Sequence, residues 1–127
     1  MTNRTASDHT VEADKGRPWS KLELPIGLGT NTFSRTTDEA GSRDVLDAFI
    51  EGGGSLIDTA DTYSDGAAEN IIGSWMRERR NRNRVVIVGK VGNHIDFVDG
   101  LSTESISGGL EASLRRLGTD DIDICRC

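Results

Sequence analysis

Short apolar segments alternate with helical patterns along most of the chain, and this alternation restricts the fold more than any other feature. The clearest strand is the run Arg84-Val85-Val86-Ile87-Val88, which is apolar without the period of two that a half-exposed strand shows. Such a run is typical of a parallel strand that is covered on both faces. Parallel neighbours need long crossover connections, which helices usually provide. The pattern therefore predicts an α/β protein built around a parallel sheet.

Three further strands are predicted around this one. They fall within Leu22–Leu28, ending at Gly29-Thr30, within Ser55–Thr59, and within Asp121–Cys127. With the helices between them, the order is β-α-β-α-β-α-β, and the connections are short enough for right-handed crossovers. This order alone does not separate a doubly wound sheet from a barrel.

The three helices have start and stop signals and apolar faces. The first begins near Thr37-Asp38-Glu39 and ends at Gly52-Gly53-Gly54, and the third begins at Ser102 or Thr103 and ends at Gly118. Apolar residues recur at helical spacing in all three helices, and they predict an apolar face on the second and a buried stripe on the third. These residues are Val45, Leu46, Phe49 and Ile50 in the first helix, Ile71, Ile72, Trp75 and Met76 in the second, and Ile106, Leu110, Leu114 and Leu117 in the third.

Length and composition indicate one folded domain. The chain has 127 residues, of which 35% are apolar and 28% are charged. Residues 1–21 are polar and lack the apolar segment of a secretory signal, so we expect a flexible tail before a domain at 22–127. No stretch of about 18 apolar residues predicts a membrane span. Cys125 and Cys127 are too close together for an ordinary disulfide, and no zinc-ligand cluster accompanies them, so a reducing cytoplasm is expected.

Charge argues against a general nucleic-acid binder, because the net charge is −6 and the pI is about 4.8. The local exception is Arg77–Arg84, reading RERRNRNR. Basic side chains at the carboxyl end of a helix complement its dipole. We therefore interpret this cluster as a solvated helix terminus rather than a phosphate or nucleic-acid patch.

Three ionisable side chains fall at one end of the predicted sheet. Asp58 lies at the carboxyl end of the second strand, Tyr63 lies in the loop that follows it, and Lys90 lies at the carboxyl end of the third strand. Neighbouring parallel strands are about 4.8 Å apart, which brings Asp58 and Lys90 within ion-pairing reach. Tyr63 is the only tyrosine in the chain.

Together these three groups suit general acid catalysis of carbonyl reduction. A free phenol has a pKa near 10, but an adjacent ammonium stabilises the phenolate and lowers that pKa, and a carboxylate keeps the ammonium charged and oriented. Singly, each residue has an ordinary structural explanation: a loop cap for Asp58, half-buried packing for Tyr63 and a solvated strand end for Lys90. Only the combination favours a catalytic site, in which nicotinamide is the usual hydride source.

Other candidate residues are weaker. Gly27 and Gly29 match the first two glycines of a dinucleotide fingerprint, but Thr32 stands in place of the third, which argues against a Rossmann site. Asp61 could take the role of Asp58 by position, although strand alternation makes it a loop residue. His94 is a lone loop histidine, and such residues are more often solvated than catalytic.

Four segments carry a resemblance to a known family. They read LPIGLGTNTFSRTTDEA, GGGSLIDTADTYSDGAAENIIGSWM, RVVIVGKVG and SLRRLGTDDIDI. In order and spacing they are similar to the opening blocks of the aldo-keto reductases, over roughly Leu24–Ile124. The DTAxxY motif, the strand lysine and SLRRLGTDxIDx are together far more specific than any one of them.

The resemblance implies a (β/α)8 barrel of the TIM type, of which this chain would form a truncated half barrel. It also implies reduction of a small aldehyde or ketone with NADP(H), bound in extended form without a Rossmann fold. The family's catalytic Asp, Tyr and Lys correspond to Asp58, Tyr63 and Lys90. Gly29, Thr30 and Asn31, together with Asp58, correspond to the nicotinamide side of the cofactor site. Asn93 and His94 fall in a loop that often borders substrate.

Two departures from the family pattern leave an alternative open. The family's catalytic histidine at the end of the fourth strand would fall just beyond Cys127, after an atypical Cys125-Arg126-Cys127. A complete barrel needs about 250 residues. The alternative is therefore a catalytically incompetent fragment or interaction module that lacks the fourth catalytic position and most of the cofactor site. Its cofactor binding would be weak or absent, and its open sheet edges would invite self-association.

Overall fold

The computed structural model describes Ser20, Leu22 and residues 24–93 and 100–127. Within these ranges four strands alternate with three α-helices. In chain order they are β1 (Gly27–Gly29), α1 (Glu39–Glu51), β2 (Leu56–Asp58), α2 (Ala67–Arg79), β3 (Val86–Lys90), α3 (Thr103–Leu117) and β4 (Ile124–Arg126). Short 3-10 turns at Tyr63–Gly66 and Arg82–Arg84 precede α2 and β3. None of these helices has the length and apolarity needed to cross a membrane. The predicted tail, apart from Ser20, lies outside the described residues.

The four strands form one parallel sheet in the order β1-β2-β3-β4. Each strand therefore pairs with its neighbour in sequence. A doubly wound sheet reverses its strand order partway across, and this sheet does not. Right-handed crossovers between sequential strands place every helix on the same face of the sheet. This is the topology of consecutive βα units in a barrel, and it confirms the predicted β-α-β-α-β-α-β order.

The strand that the sequence marks most clearly lies two residues later than its apolar run suggests. Arg84 belongs to the 3-10 turn, and β3 begins at Val86 and continues to Lys90. Val86, Ile87, Val88 and Gly89 are all buried, as expected for a strand covered on both faces. The shift matters for function because it makes Lys90 the last residue of the strand.

The residues predicted to cap α1 and α3 are found at the ends of these helices. The Asp38 side chain accepts a hydrogen bond of 2.8 Å from the Gly41 amide at the start of α1. The Ser102 hydroxyl accepts one of 3.1 Å from the Ser105 amide at the start of α3. Gly118 ends α3 with a positive φ of 63°, a conformation that glycine adopts without a steric penalty. Ser102, rather than Thr103, is therefore the capping residue.

The apolar core lies between the sheet and the helices. Ile57 of β2 and Ile87 of β3 are register partners, and both are completely buried. They belong to one cluster with Leu46 of α1 and with Ile72 and Trp75 of α2. Side chains on the opposite face of these two strands point away from the helices, as Asp58 and Lys90 do.

The predicted buried stripe of α3 is only partly correct. Leu117 is buried, but Ile106, Leu110 and Leu114 are half-buried. The fully buried positions of α3 are otherwise small: Ser105, Gly109, Ala112 and Ser113. A Cβ atom on Gly73 of α2 would lie 2.5 Å from the Arg116 carbonyl oxygen, so the backbones of α2 and α3 approach closely. Small residues permit that approach, and hydrophobic periodicity does not detect them.

The interpretation of Arg77–Arg84 as a purely solvated terminus is also only partly correct. Arg79 forms an ion pair with Asp47 of α1, with 2.7 Å between Nη2 and Oδ2. Arg82 contacts Asp121 at 3.0 Å and Asp123 at 2.9 Å in the segment that leads into β4. Two of the five arginines therefore link separate elements of the fold.

Candidate active site

Asp58 and Lys90 form an ion pair at the carboxyl edge of the sheet. Asp58 is the last residue of β2 and Lys90 is the last residue of β3, and their side chains share the face opposite the helices. The Lys90 ammonium donates a hydrogen bond of 2.7 Å to Asp58 Oδ1. Their side chains are 27% and 34% exposed, so the pair is open to a ligand from this edge. The predicted ion-pairing distance is confirmed.

Tyr63 lies beside the same lysine. It begins the 3-10 turn after β2, and its amide donates a hydrogen bond of 3.2 Å to the Ala60 carbonyl. The Lys90 Nζ atom lies over the tyrosine ring, 4.9 Å from its centroid, which is within the range of a cation–π contact. One ammonium therefore contacts a carboxylate and an aromatic ring, and the structure brings the three predicted residues together.

Backbone hydrogen bonds fix the loop that carries Tyr63 to the neighbouring strands. The Thr59 amide donates to the Val88 carbonyl at 2.8 Å, and the Asp61 amide donates to the Lys90 carbonyl at 3.0 Å. Both bonds continue the ladder between β2 and β3 past the end of β2. The segment between Asp58 and Tyr63 is therefore held along β3 rather than free in solvent.

The residues predicted to face the cofactor differ in accessibility. Gly29 is exposed, is the register partner of Asp58, and has no atom within 4 Å of where a Cβ would be. Asn31 is also exposed. Thr30 is completely buried, and its amide and hydroxyl both donate to the Asp58 carbonyl, at 3.1 Å and 2.9 Å. Thr30 therefore fixes the backbone of Asp58, whereas Gly29 and Asn31 border open space.

Asp61, the other carboxylate near the end of β2, lies in the loop as expected from strand alternation but is only 2% exposed. A Cβ on Gly109 of α3 would lie 3.7 Å from its Oδ2 atom, so it faces α3 rather than the edge with Lys90. Asn93 is exposed, and His94 lies outside the described residues. Of these two carboxylates, Asp58 is therefore the one that pairs with Lys90.

Cys125 and Cys127 are free, exposed thiols on and just after β4. Partial burial of the Cys125 sulfur raises the pKa of its thiol, and the nearby Cys127 and Asp61 raise it further. Cys125 pairs in register with Gly89, so it lies on the helix face of the sheet, opposite Lys90. Among the described residues, no group of three or more potential ligands could hold a metal ion.

Sequence reasoning missed one buried charged pair near Tyr63. Glu69 of α2 is completely buried, and the Nε atom of Arg116 donates a hydrogen bond of 2.6 Å to its Oε2. Glu69 and Arg116 are 47 positions apart in the sequence. Each lies on a helix, and charged side chains are common on helices. No local pattern signals the contact, although burial of a carboxylate requires a partner.

A sequential parallel sheet with its polar site at the carboxyl ends of its strands defines a protein of the (β/α)-barrel class. The model of the aldo/keto reductase family matches residues 25–127, and the chain belongs to this family. This membership confirms the resemblance found in the sequence and the predicted barrel-type fold.

Individual relatives agree with the assignment to the aldo/keto reductase family. The chain is 33% identical over 124 residues to norsolorinic acid reductase of Aspergillus flavus, an alignment that covers 79% of this chain and 30% of that protein. It is 35% identical over 113 residues to aryl-alcohol dehydrogenase [NADP(+)] of Phanerodontia chrysosporium, covering 79% and 28%. The chain thus spans about a third of the length of the relatives it matches.

Solved structures show the same fold. An aldo-keto reductase from Klebsiella pneumoniae in complex with NADPH is 36% identical, with a TM-score of 0.66. That alignment covers 79% of this chain and 33% of the Klebsiella chain. The holo form of an aldo-keto reductase from Bacillus halodurans is 34% identical, with a TM-score of 0.67, covering 79% and 34%.

Proposed function

We propose that this chain carries the proton-donating site of an NADPH-dependent reductase of aldehydes or ketones. The observation that carries the proposal is the position of Lys90, 2.7 Å from Asp58 Oδ1 and 4.9 Å from the centre of the Tyr63 ring. A carboxylate, an ammonium and a phenol in contact form a set that can deliver a proton to an oxygen as negative charge develops on it.

Each of the three residues has its own task. Asp58 accepts a hydrogen bond from the Lys90 ammonium and directs it along the strand ends. Lys90 stabilises negative charge on the Tyr63 oxygen when the phenol gives up its proton. Tyr63 donates that proton to the carbonyl oxygen of the substrate. NADPH, when bound, supplies the hydride that adds to the carbonyl carbon, and the two transfers together give an alcohol.

The residues at the end of β1 fit a cofactor on this edge. The space above Gly29 is open, so a flat ring can lie next to Asp58 without meeting a side chain. The exposed Asn31 offers an amide to such a ring, and Thr30 keeps the Asp58 backbone fixed beside it. The Klebsiella structure with NADPH and the NADP(+)-named dehydrogenase support NADP(H) as the cofactor.

Removal of the Tyr63 hydroxyl tests the proposal. In a protein whose complete barrel contains these residues, Tyr63→Phe should lower kcat for reduction of an aromatic aldehyde about 100-fold or more, since general acid catalysis contributes about 10²–10⁴-fold. The measurement is the loss of NADPH absorbance. Thr62→Val, at the exposed neighbouring position, is the matched control and should keep its activity. A phenylalanine variant as active as the unaltered protein contradicts the role of Tyr63, and an unaltered protein that reduces no carbonyl contradicts the function.

The second candidate is a non-catalytic interaction module. It is favoured by the two edges of the sheet: within the described ranges β1 pairs only with β2 and β4 pairs only with β3. Exposed strand edges offer unpaired backbone groups to another chain. NADPH fluorescence discriminates between the candidates. Tight cofactor binding by the 127-residue chain contradicts the module, and stable assembly without cofactor binding supports it.

A further inference from the structure

The turn that begins with Tyr63 has an unusual backbone. Three consecutive residues adopt positive φ angles: Ser64 at 51°, Asp65 at 54° and Gly66 at 88°. Two of them are not glycine, and residues with side chains rarely adopt this conformation. Such a conformation persists only where the surrounding structure imposes it. The contacts around the turn therefore determine where Tyr63 is held.

One contact comes from the loop after β1. The Ser64 hydroxyl donates a hydrogen bond of 2.7 Å to the Phe33 carbonyl, and Phe33 is only 2% exposed. This bond fixes the first left-handed residue of the turn to a buried part of the chain. At the other end of the turn, the Ala67 amide donates to the carbonyls of Tyr63 and Ser64, and Gly66 contacts a side chain from α3.

The side chain of Arg116 lies directly against that far end. A Cβ atom on Gly66 would lie 2.7 Å from Arg116 Cδ and 2.8 Å from its Nε. Contacts this short mean that the arginine occupies the space in which a side chain at position 66 would lie. Arg116 lies in the last turn of α3, and its side chain reaches Gly66 and Glu69 at the N-terminal end of α2.

Arg116 is itself fixed by a buried carboxylate. Its Nε atom donates to Glu69 Oε2 at 2.6 Å, and Nη2 lies 3.4 Å from the Ser113 hydroxyl. Glu69 is completely buried, and Arg116 is 21% exposed. A buried ion pair with a short, charge-assisted bond has little freedom to change its geometry.

We propose that Arg116, held by Glu69, is a positioning residue that keeps the left-handed turn in place and so holds Tyr63 against Lys90. The inference rests on the proposed function of Tyr63 as proton donor and adds a residue from α3 to its support. Without the arginine, Ser64 and Asp65 relax toward ordinary backbone angles, and the phenol moves away from the ammonium. If the Glu69–Arg116 ion pair only joined α2 to α3, loss of Arg116 would leave Tyr63 in place.

Because Tyr63 is the only tyrosine, isotope-labelled tyrosine gives a single ring signal in the NMR spectrum of the 127-residue chain. Lys90→Met first defines how that signal shifts when the ammonium is lost. Arg116→Met should shift the signal in the same direction. Arg115→Met is the matched control, since Arg115 is the exposed neighbour on the same helix, and it should leave the signal unchanged. A folded Arg116→Met variant with the unaltered signal overturns the proposal.

A second variant covers the case in which Arg116→Met does not fold. Arg116→Lys keeps a positive charge for Glu69 but cannot cover Gly66 with a planar group. Its tyrosine signal should fall between those of the unaltered chain and Lys90→Met, and a signal identical to that of the unaltered chain overturns the proposal.

Turnover separates this proposal from the proposed function. In the active protein, Arg116→Lys should lower kcat about 10- to 100-fold with little change in KM, as a small displacement of a catalytic group does. An unchanged kcat overturns the positioning role. If the unaltered protein has no turnover, the proposed function fails, while the NMR measurement still decides whether Arg116 positions Tyr63.

Discussion

Lys90 is the residue on which the candidate site depends, because it is the group that touches both of the others. Its ammonium is a compact point charge on a flexible stem, and it fits between the Asp58 carboxylate and the Tyr63 ring. Asp58 and Lys90 are both strand-end residues, and their approach follows from strand spacing and register. Tyr63 is different, since it is placed by a turn.

The shape of the cation at position 90 should matter as well as its charge. Lys90→Met should lower kcat about 100-fold or more, because neither charge nor hydrogen bond remains. Lys90→Arg keeps the charge, but the planar guanidinium can form two hydrogen bonds to the Asp58 carboxylate. This bidentate contact would move the cation away from the Tyr63 ring. We expect about a tenfold loss in kcat for the arginine variant, measured by steady-state NADPH oxidation. Equal rates for Lys90→Arg and the unaltered protein would show that charge alone suffices.

At the scale of elements, α1 and α2 are joined by polar contacts at the rim of the core. Asp47 of α1 accepts hydrogen bonds from Trp75 Nε1 at 2.8 Å and from Arg79, with both its oxygens engaged. The hydrogen bond from Arg79 and, to a smaller extent, the hydrogen bond from Trp75 hold the pKa of Asp47 below its ordinary value. The contact orients the indole of Trp75, which is completely buried in the core.

This depressed pKa gives the protein a pH-dependent stability with a definite sign. The folded chain binds a proton at Asp47 more weakly than the unfolded chain, so the stabilisation is present above the unfolded pKa of about 3.9 and is lost as the pH falls through the lower folded value. Asp47→Asn should lower the free energy of unfolding by about 0.5–1 kcal/mol at pH 7, the range of partly exposed pairs.

Urea denaturation at pH 7 and below pH 4 measures this effect. The difference between the unaltered chain and Asp47→Asn should shrink at the lower pH. Asp44→Asn, an exposed position on the same helix, is the control and should show little difference at either pH. A gap for Asp47→Asn that stays constant with pH would exclude the ion pair as its source.

For the whole molecule, the sequence predicted the alternation of strands and helices and the Asp58–Lys90 contact better than it predicted the contacts between helices. The alternation of strands and helices was predictable from apolar runs, and the Asp58–Lys90 pair from the spacing of neighbouring strands. The barrel-type order within the sheet was predictable only from the family resemblance. The close approach of α2 and α3 was not predictable, because it depends on Gly73 and on small residues that have no hydrophobic signal. Contacts such as Glu69–Arg116 need the rotation of each helix about its axis, which short-range patterns do not specify.

The two sheet edges predict how the 127-residue chain behaves in solution. Ile26, which precedes β1 at one edge, is 58% exposed, and we expect edge pairing to give species larger than the 13.7 kDa monomer. Ile26→Lys should shift the chain toward monomer, since an edge lysine opposes strand addition. Leu101→Lys is the control, because Leu101 is 66% exposed but precedes α3 rather than an edge strand. Gel filtration with light scattering measures both, and a monomeric unaltered chain would contradict the prediction.

The left-handed turn after Tyr63 also has a consequence for how this site can diversify. Asp58 and Lys90 lie on strands. The turn at Tyr63–Gly66 is held by a buried carbonyl and covered by a helix side chain, so exposed loops contribute little to the position of the three residues. Loops are the parts of a fold that tolerate insertions and change fastest. We therefore expect the proposed proton donor to stay the same while neighbouring exposed loops are reshaped for carbonyl compounds of different size.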